Sequence, residues 1–140
     1  MEWNLNEIKE QVEALDGLNA QEKYLNMDGT LRSFYDAVME EVTDGVDQGG
    51  YGLEVSTQMG RGGISLWKTV EDPEVGEGSI PVYEDIDFEE ETEDFFETLS
   101  ANLEYSDNPD QILDSVVEYF VGKYLDLAME YDEDSEADWA

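Results

Sequence analysis

Carboxylates are the side chains that the sequence supplies in number for chemistry. The chain has 38 Asp and Glu against six Lys and Arg, with neither His nor Cys. It therefore lacks the commonest general base and the best side-chain nucleophile. A carboxylate pair could act as general acid and base, but among 38 acids two close neighbours are expected by chance. Six bases also leave little to stabilise an anionic transition state. We predict that the protein is not an enzyme, and a two-carboxylate hydrolase is the weakest alternative.

Clustered acids can also hold Ca²⁺ or Mg²⁺ through oxygen. Asp132, Asp134 and Glu136 alternate as the first ligands of an EF-hand loop do, but Ala137 stands at the sixth position, where Gly is needed. A second candidate, beginning at Asp72, lacks this Gly too. The "GRGG" stretch lies between two strand patterns and has no following Lys-Ser or Lys-Thr, which favours a hairpin turn over a phosphate loop. We predict neither a metal site nor a cofactor.

The formal net charge of −32 is unevenly distributed. Residues 1–70 hold 13 acids and five bases, a net of −8, whereas residues 71–140 hold 25 acids and one base, a net of −24. Such charge opposes a compact state through self-repulsion. Its concentration in the second half favours a functional face over a uniform solubility coat. The charge should also repel nucleic acid and anionic lipid, so we expect no direct binding to either.

The elements that must position these acids follow from the apolar periodicity. Residues 4–16 show helical spacing behind a candidate cap, Asn4, and after a polar link a second helix follows the cap Asp28. Its apolar stripe comprises Leu31, Phe34, Tyr35, Val38 and Val42. The period then changes to two over residues 51–70, which predicts a hairpin turning at residues 60–63. Residues 80–83, "IPVY", predict a third strand at a sheet edge, because Pro81 cannot donate to a ladder.

The acidic second half is predicted to be mostly helical. "EDIDFEEETEDFFETL", residues 84–99, has nine acids, which are predicted to be exposed. Its apolar side is predicted to pack into the core and comprises Phe88, Thr92, Phe95, Phe96, Leu99 and Leu103. The last helix has Asn108 as cap and Pro109 at its first position, and residues 132–140 are predicted to be an acidic tail. Hydrophobic residues make up 40% of the chain, which is enough to form a core. We predict a single α+β domain over residues 1–131, a small antiparallel sheet packed by about four helices.

Acids follow one another along these helices at spacings where a base would usually alternate. Along the last helix they recur at multiples of four residues, about 6 Å of rise per step. Glu and Lys at this spacing would stabilise a helix by a few tenths of a kcal/mol, a gain that successive acids forgo. We therefore predict a partner-binding surface within residues 84–134. Its residues are Glu89, Glu90, Glu93, Asp94, Glu97, Asp110, Asp114, Glu118, Asp126 and Glu130.

In its acidity, small size, lack of His and Cys, and acidic helical second half, the chain resembles the DNA-mimic inhibitors of phages and mobile elements. These are the anti-restriction proteins and several acidic anti-CRISPR proteins. The resemblance is one of class and rests on no family motif, so it transfers no site residues. It implies stoichiometric blockade of a basic nucleic-acid-binding protein, such as a nuclease or defence effector, whose Lys and Arg otherwise hold phosphates.

Two other classes remain open. An acidic immunity protein or antitoxin would neutralise one basic toxin by the same electrostatics, but need not compete with nucleic acid. A protein adapted to high salt would spread its acids evenly and use few bulky apolar residues, unlike this chain.

The N-terminus shows no basic region followed by an apolar run, and no stretch approaches a membrane span, which predicts a cytoplasmic protein.

Overall fold

Five helices and one three-stranded antiparallel sheet make up the structure, a computed structural model that describes residues 3–59, 61–72 and 76–139. The helices are α1 (Leu5–Leu15), α2 (Ala20–Asn26), α3 (Gly29–Gln48), α4 (Phe88–Tyr105) and α5 (Pro109–Trp139). The strands are β1 (Tyr51–Gln58), β2 (Arg61–Asp72) and β3 (Gly76–Asp87), in the order β1-β2-β3. The predicted α+β class is confirmed. The segment predicted as a tail continues α5 as far as Trp139.

Each helix begins after an Asn or Asp whose side chain accepts a backbone N–H of the first turn. The capping residues are Asn4, Asn19, Asp28, Asp87 and Asn108. Two of these helices, α2 and α4, differ from the prediction. The predicted polar link contains α2, a helix of two turns that is too short to show an apolar stripe. Asp87 starts α4 later than expected, so residues 84–87 belong to β3.

The sheet confirms the predicted hairpin but moves its turn. Gln58 pairs with Arg61, so the chain reverses between these two residues, and the predicted turn glycines Gly62 and Gly63 lie in β2. Met59 adopts a positive φ of 56° there. Gly60 of the predicted turn lies outside the described residues. β3 is an edge strand, as predicted, and Pro81 lies opposite Trp67. It is longer than "IPVY" because it begins at Gly76, while residues 73–75 of the predicted connection lie outside the described residues.

The core lies between the helices and one face of the sheet. Ile64, Leu66 and Ile86 are buried on this face. The predicted stripe of α3 is entirely buried, and so is that of α4 apart from the half-buried Leu103. On α5 the buried residues recur every fourth position, at Ile112, Val116, Phe120, Tyr124 and Ala128. A row of this period winds slowly around a helix, because four residues turn it by roughly 400°.

Close packing of α3 against α5 depends on two glycines, one within α3 and one immediately after its last residue. A Cβ at Gly45 would lie 2.6 Å from Val121 Cγ2, and one at Gly49 would lie 2.5 Å from Leu125 Cδ2. Both distances are far below van der Waals contact. By contrast, a Cβ at Gly122, on the exposed side of α5, would meet nothing within 4 Å.

These contacts predict opposite effects for two matched substitutions. Gly45→Ala should destabilise the protein, because overpacking costs about 1–3 kcal/mol and the stiff Val121 side chain has little freedom to yield. Gly122→Ala should stabilise it by about 1 kcal/mol, the difference in helix propensity. Urea denaturation of both variants beside the wild type measures the two effects. Shifts of the same sign would contradict the close α3–α5 packing.

Candidate protein-binding surface

The predicted acids of α5 all lie on its exposed side. Asp110, Asp114, Glu118, Asp126 and Glu130 are exposed. This acidic row precedes the buried row by two residues, roughly 200° around the helix. Because both rows advance four residues at a time, the acids remain opposite the core while the helix passes from α3 to β3. The row spans about 30 Å from end to end.

The predicted acids of α4 differ in their surroundings. Glu90, Glu93 and Glu97 are exposed and make no ion pair within the described part of the chain. Glu89 is half-buried, and its Oε1 lies 3.5 Å from Arg61 Nε on the hairpin. Asp94 is partly buried, and its side chain is only 20% exposed. Of the five, three therefore present free carboxylates.

Asp94 belongs to a network that joins α4 to α5 and includes a carboxylate that the sequence pattern placed on the surface. Glu91 is 9% exposed, and its Oε1 accepts a hydrogen bond of 2.6 Å from the Tyr124 hydroxyl. Lys123 Nζ donates to Glu91 Oε2 at 2.7 Å and to Asp94 Oδ2 at 2.9 Å. The Tyr119 hydroxyl lies 2.8 Å from the same Oδ2. The expectation that every acid of α4 is exposed is therefore wrong.

The environment of this Lys123 network raises the pKa of Lys123 and that of Tyr124. Burial lowers the pKa of Lys123, but hydrogen bonds to Glu91 and Asp94 outweigh it and raise the pKa above its ordinary value. Burial, followed by the charge of Glu91, raises the pKa of Tyr124 far above that of a free tyrosine. The network thus favours an ammonium, two acceptors and a neutral phenol. Opposite charges and hydrogen bonds together stabilise it.

A groove between α1 and α4 brings together acids from both halves of the sequence. It has a volume of about 690 Å³. Glu93 and Glu97 of the predicted set line it together with Glu13, Asp16 and Glu104. One base lines it too: Lys23, whose Nζ lies 5.4 Å from the centre of the Phe96 ring. The groove therefore carries a strong negative charge above a partly apolar floor.

A second groove, between α3 and α5, is more uniformly acidic. It has a volume of about 660 Å³, and Asp110 of the predicted set lines it beside Trp3 and Leu113. Four acids of α3 complete its lining: Asp36, Glu40, Glu41 and Asp44. These acids lie outside the apolar stripe of α3, and only the packing of α3 against α5 places them beside Asp110. The acidic surface thus extends beyond the predicted residues 84–134.

Two features are absent from the part of the chain that the structure describes. No three acids there are grouped so that they could hold a metal ion. No helix there combines the length and the apolar character needed to cross a bilayer. No protein-family model matches the chain, and comparisons with curated sequences and with solved structures find no significant match.

Removal of the network cation is expected to destabilise the fold strongly. Lys123→Met leaves Glu91 and Asp94 close together without a counter-charge, and breaking a buried pair costs about 3–5 kcal/mol. Because the Lys123 side chain is 35% exposed, we expect a loss of about 2–3 kcal/mol, below that range. The control is Lys9→Met, whose partner Asp107 is 99% exposed at 3.9 Å. It should change stability by less than about 1 kcal/mol.

Urea denaturation measures both variants. Adding Glu91→Gln to Lys123→Met should recover part of the loss, because it removes one uncompensated charge. Equal effects of the two Lys substitutions would show that the Lys123 network does not hold α4 against α5.

The raised pKa values also predict how stability depends on alkaline pH. Burial raises the pKa of Tyr35 as it does that of Tyr124. In the unfolded chain tyrosine and lysine lose their protons at about pH 10 to 10.4. Above that pH the unfolded state binds fewer protons than the folded state, so stability falls as pH rises. The thermal midpoint should decline from about pH 10 upward, and less steeply in Tyr35→Phe. A midpoint that is constant to pH 11 would contradict the burial of these phenols.

Proposed function

We propose that this protein is a stoichiometric inhibitor that imitates the phosphate charge of nucleic acid and occupies the basic groove of a DNA- or RNA-binding protein. A restriction or CRISPR nuclease is the kind of target that fits. The observation that carries the proposal is the set of free carboxylates on α4 and α5. Eight of the ten predicted residues are exposed, and these eight form no ion pair within the described residues.

The spacing of these carboxylates supports recognition by a phosphate-binding groove. Duplex DNA presents one negative charge per roughly 1.7 Å of its axis, and proteins grip it largely through Lys and Arg. The acidic row of α5 supplies a carboxylate about every 6 Å over most of its length, and α4 and α3 add further acids beside it. A target would therefore meet a surface of dense negative charge over roughly 30 Å, which is a little less than one turn of B-DNA, about 34 Å.

The rigidity of the surface also supports the proposal. An acidic peptide must be ordered before it can match a set of basic residues, and this ordering lowers its affinity. Here the Lys123 network fixes α4 against α5, and the buried rows of both helices fix them against the sheet. The carboxylates are therefore presented in one arrangement, and an opposing basic groove would also be found quickly through electrostatic steering.

Substitution of free acids tests the proposal without disturbing the core. The first variant carries Glu90→Gln, Glu93→Gln and Glu97→Gln on the exposed side of α4. The matched control carries Glu10→Gln, Glu22→Gln and Asp47→Asn, which removes equal charge from exposed positions that line neither groove. Asp94 is left unchanged because the Lys123 network needs it.

Proteins captured from a host lysate are then tested for competition with duplex DNA and for salt dependence. We expect DNA to displace the protein, affinity to fall steeply with salt, and the α4 variant to bind at least tenfold more weakly, about 1.4 kcal/mol. The control should bind nearly as the wild type does. Simultaneous binding of DNA and protein would overturn mimicry and favour the immunity-protein alternative. Equal losses in both variants would show that general acidity, and not this surface, is responsible.

A further inference from the structure

One segment departs from the acidity of the rest of the chain. Residues 48–70, which include β1 and the first part of β2, contain one acid and two bases, a formal charge of +1. The remainder of the chain carries −33. A basic target is not attracted to this hairpin, but another strongly acidic molecule meets less local repulsion here than at the acidic faces.

The same segment contains an open sheet edge. Among the described strands β1 pairs only with β2. The residues from Glu54 to Gln58 are exposed whichever face of the sheet they are on. Val55 illustrates this, because it lies opposite the buried Ile64 and is nevertheless 38% exposed. At this end of the hairpin the residues of β1 are therefore open to solvent, and no strand in the described part of the chain pairs with the outer edge of β1.

The two edges of the sheet differ in how they are protected. Edge strands usually avoid pairing with other chains through Pro, charged side chains or bulges. β3 has Pro81, acids including Glu84 and Asp85, and irregular register against β2. β1 has a regular register over all eight residues, no Pro and a single charge, Glu54. Nothing in β1 opposes the addition of another strand.

We propose that β1 pairs with β1 of a second copy of this chain, in antiparallel orientation across a two-fold axis, to form a continuous six-stranded sheet. A two-fold axis is the usual symmetry of a homodimer and needs a self-complementary surface, which an antiparallel strand edge provides. In a register centred on Val55, this residue meets its own copy, while Glu54 lies opposite Ser56 and not opposite a second Glu54. The acidic surfaces of the two copies remain outside the contact.

This dimer has a salt dependence opposite to that of target binding. The two copies repel each other through their net charge, and salt screens this repulsion, whereas the backbone hydrogen bonds of the sheet are insensitive to it. We therefore expect the dimer fraction to increase with salt. The proposal goes beyond the inhibitory function, and the opposite dependence on salt allows either to fail without the other.

Mass measurement by light scattering and sedimentation tests the dimer, at several protein concentrations in low and high salt. The wild type should reach twice the chain mass of 15.9 kDa, more readily in high salt. Val55→Lys should shift the dissociation constant at least tenfold toward monomer. Ile80→Lys is the matched control, because Ile80 is a 48%-exposed apolar residue on the other edge strand. It should dimerise as the wild type does.

Cross-linking tests the register. The chain has no native Cys, so Val55→Cys introduces a single thiol. Paired residues in antiparallel strands have Cα atoms about 4.5–5.5 Å apart, which a disulfide can span. We expect mild oxidation to give a disulfide-linked dimer with Val55→Cys and little with Ile80→Cys.

Four outcomes would overturn the proposal. These are a monomer under all conditions, a dimer that dissociates with salt, equal behaviour of the two Lys variants, and equal cross-linking of the two Cys variants. A monomeric wild type in which Val55→Lys weakens capture of a target would show that β1 receives a strand of another protein. Because none of the acids tested for target binding is changed in these variants, their results leave the inhibitory function to its own experiment.

Discussion

The packing of α4 against α5 depends on one cation between like charges. Lys123 is the one base in residues 71–140, which contain 25 acids. Its ammonium donates hydrogen bonds to Glu91 and Asp94. The Tyr124 hydroxyl also donates to Glu91, and the Tyr119 hydroxyl donates to Asp94. Without a cation here, two partly buried carboxylates of α4 would face α5 without compensation, at a cost that few domains of marginal stability could bear. The arrangement of the acidic surface therefore depends on the contacts of Lys123 with Glu91 and Asp94.

Other bases also contact acids or aromatic rings within the chain. Arg32 lies 3.3 Å from Asp36 and stacks near the ring of Tyr24, and Arg61 lies beside Glu89. Lys9, Lys23, Arg32, Arg61 and Lys123 each contact an acid or an aromatic ring within the chain. The protein therefore uses its few cations to hold itself together. What it presents to a partner is carboxylate, apart from the nearly neutral hairpin, and this separation of charge connects the two proposals made for its surfaces.

Local sequence determined the elements and the inward side of most of them. The apolar stripes of α3 and α4 have the spacing of a helix, and burial follows that spacing because hydrophobic residues leave water wherever the backbone allows. Asn4, Asp28 and Asn108 cap helices as their types predict, since each has a side-chain oxygen that can accept an orphan N–H. The alternation in residues 51–70 likewise predicted a hairpin. The short helix α2 was missed because its local signal is weak. The start of α4 was also misplaced, because residues 84–87 belong to β3 and Asp87 caps the helix after them.

Tertiary structure alone decided which carboxylates are free. In sequence, Glu91 and Glu90 are neighbours of the same charge, yet Glu91 is buried against Tyr124, 33 residues away, and Glu90 is exposed. Asp94 was predicted to contact a partner, but Lys123 already holds it. The weakly and the strongly acidic halves of the sequence do not form separate surfaces in the structure. Acids of α3, from the first half, line the same groove as Asp110 of the second half. Composition fixes the total charge of the protein. The positions of its charges depend on contacts between residues far apart in the chain, and these contacts leave no periodicity in the sequence.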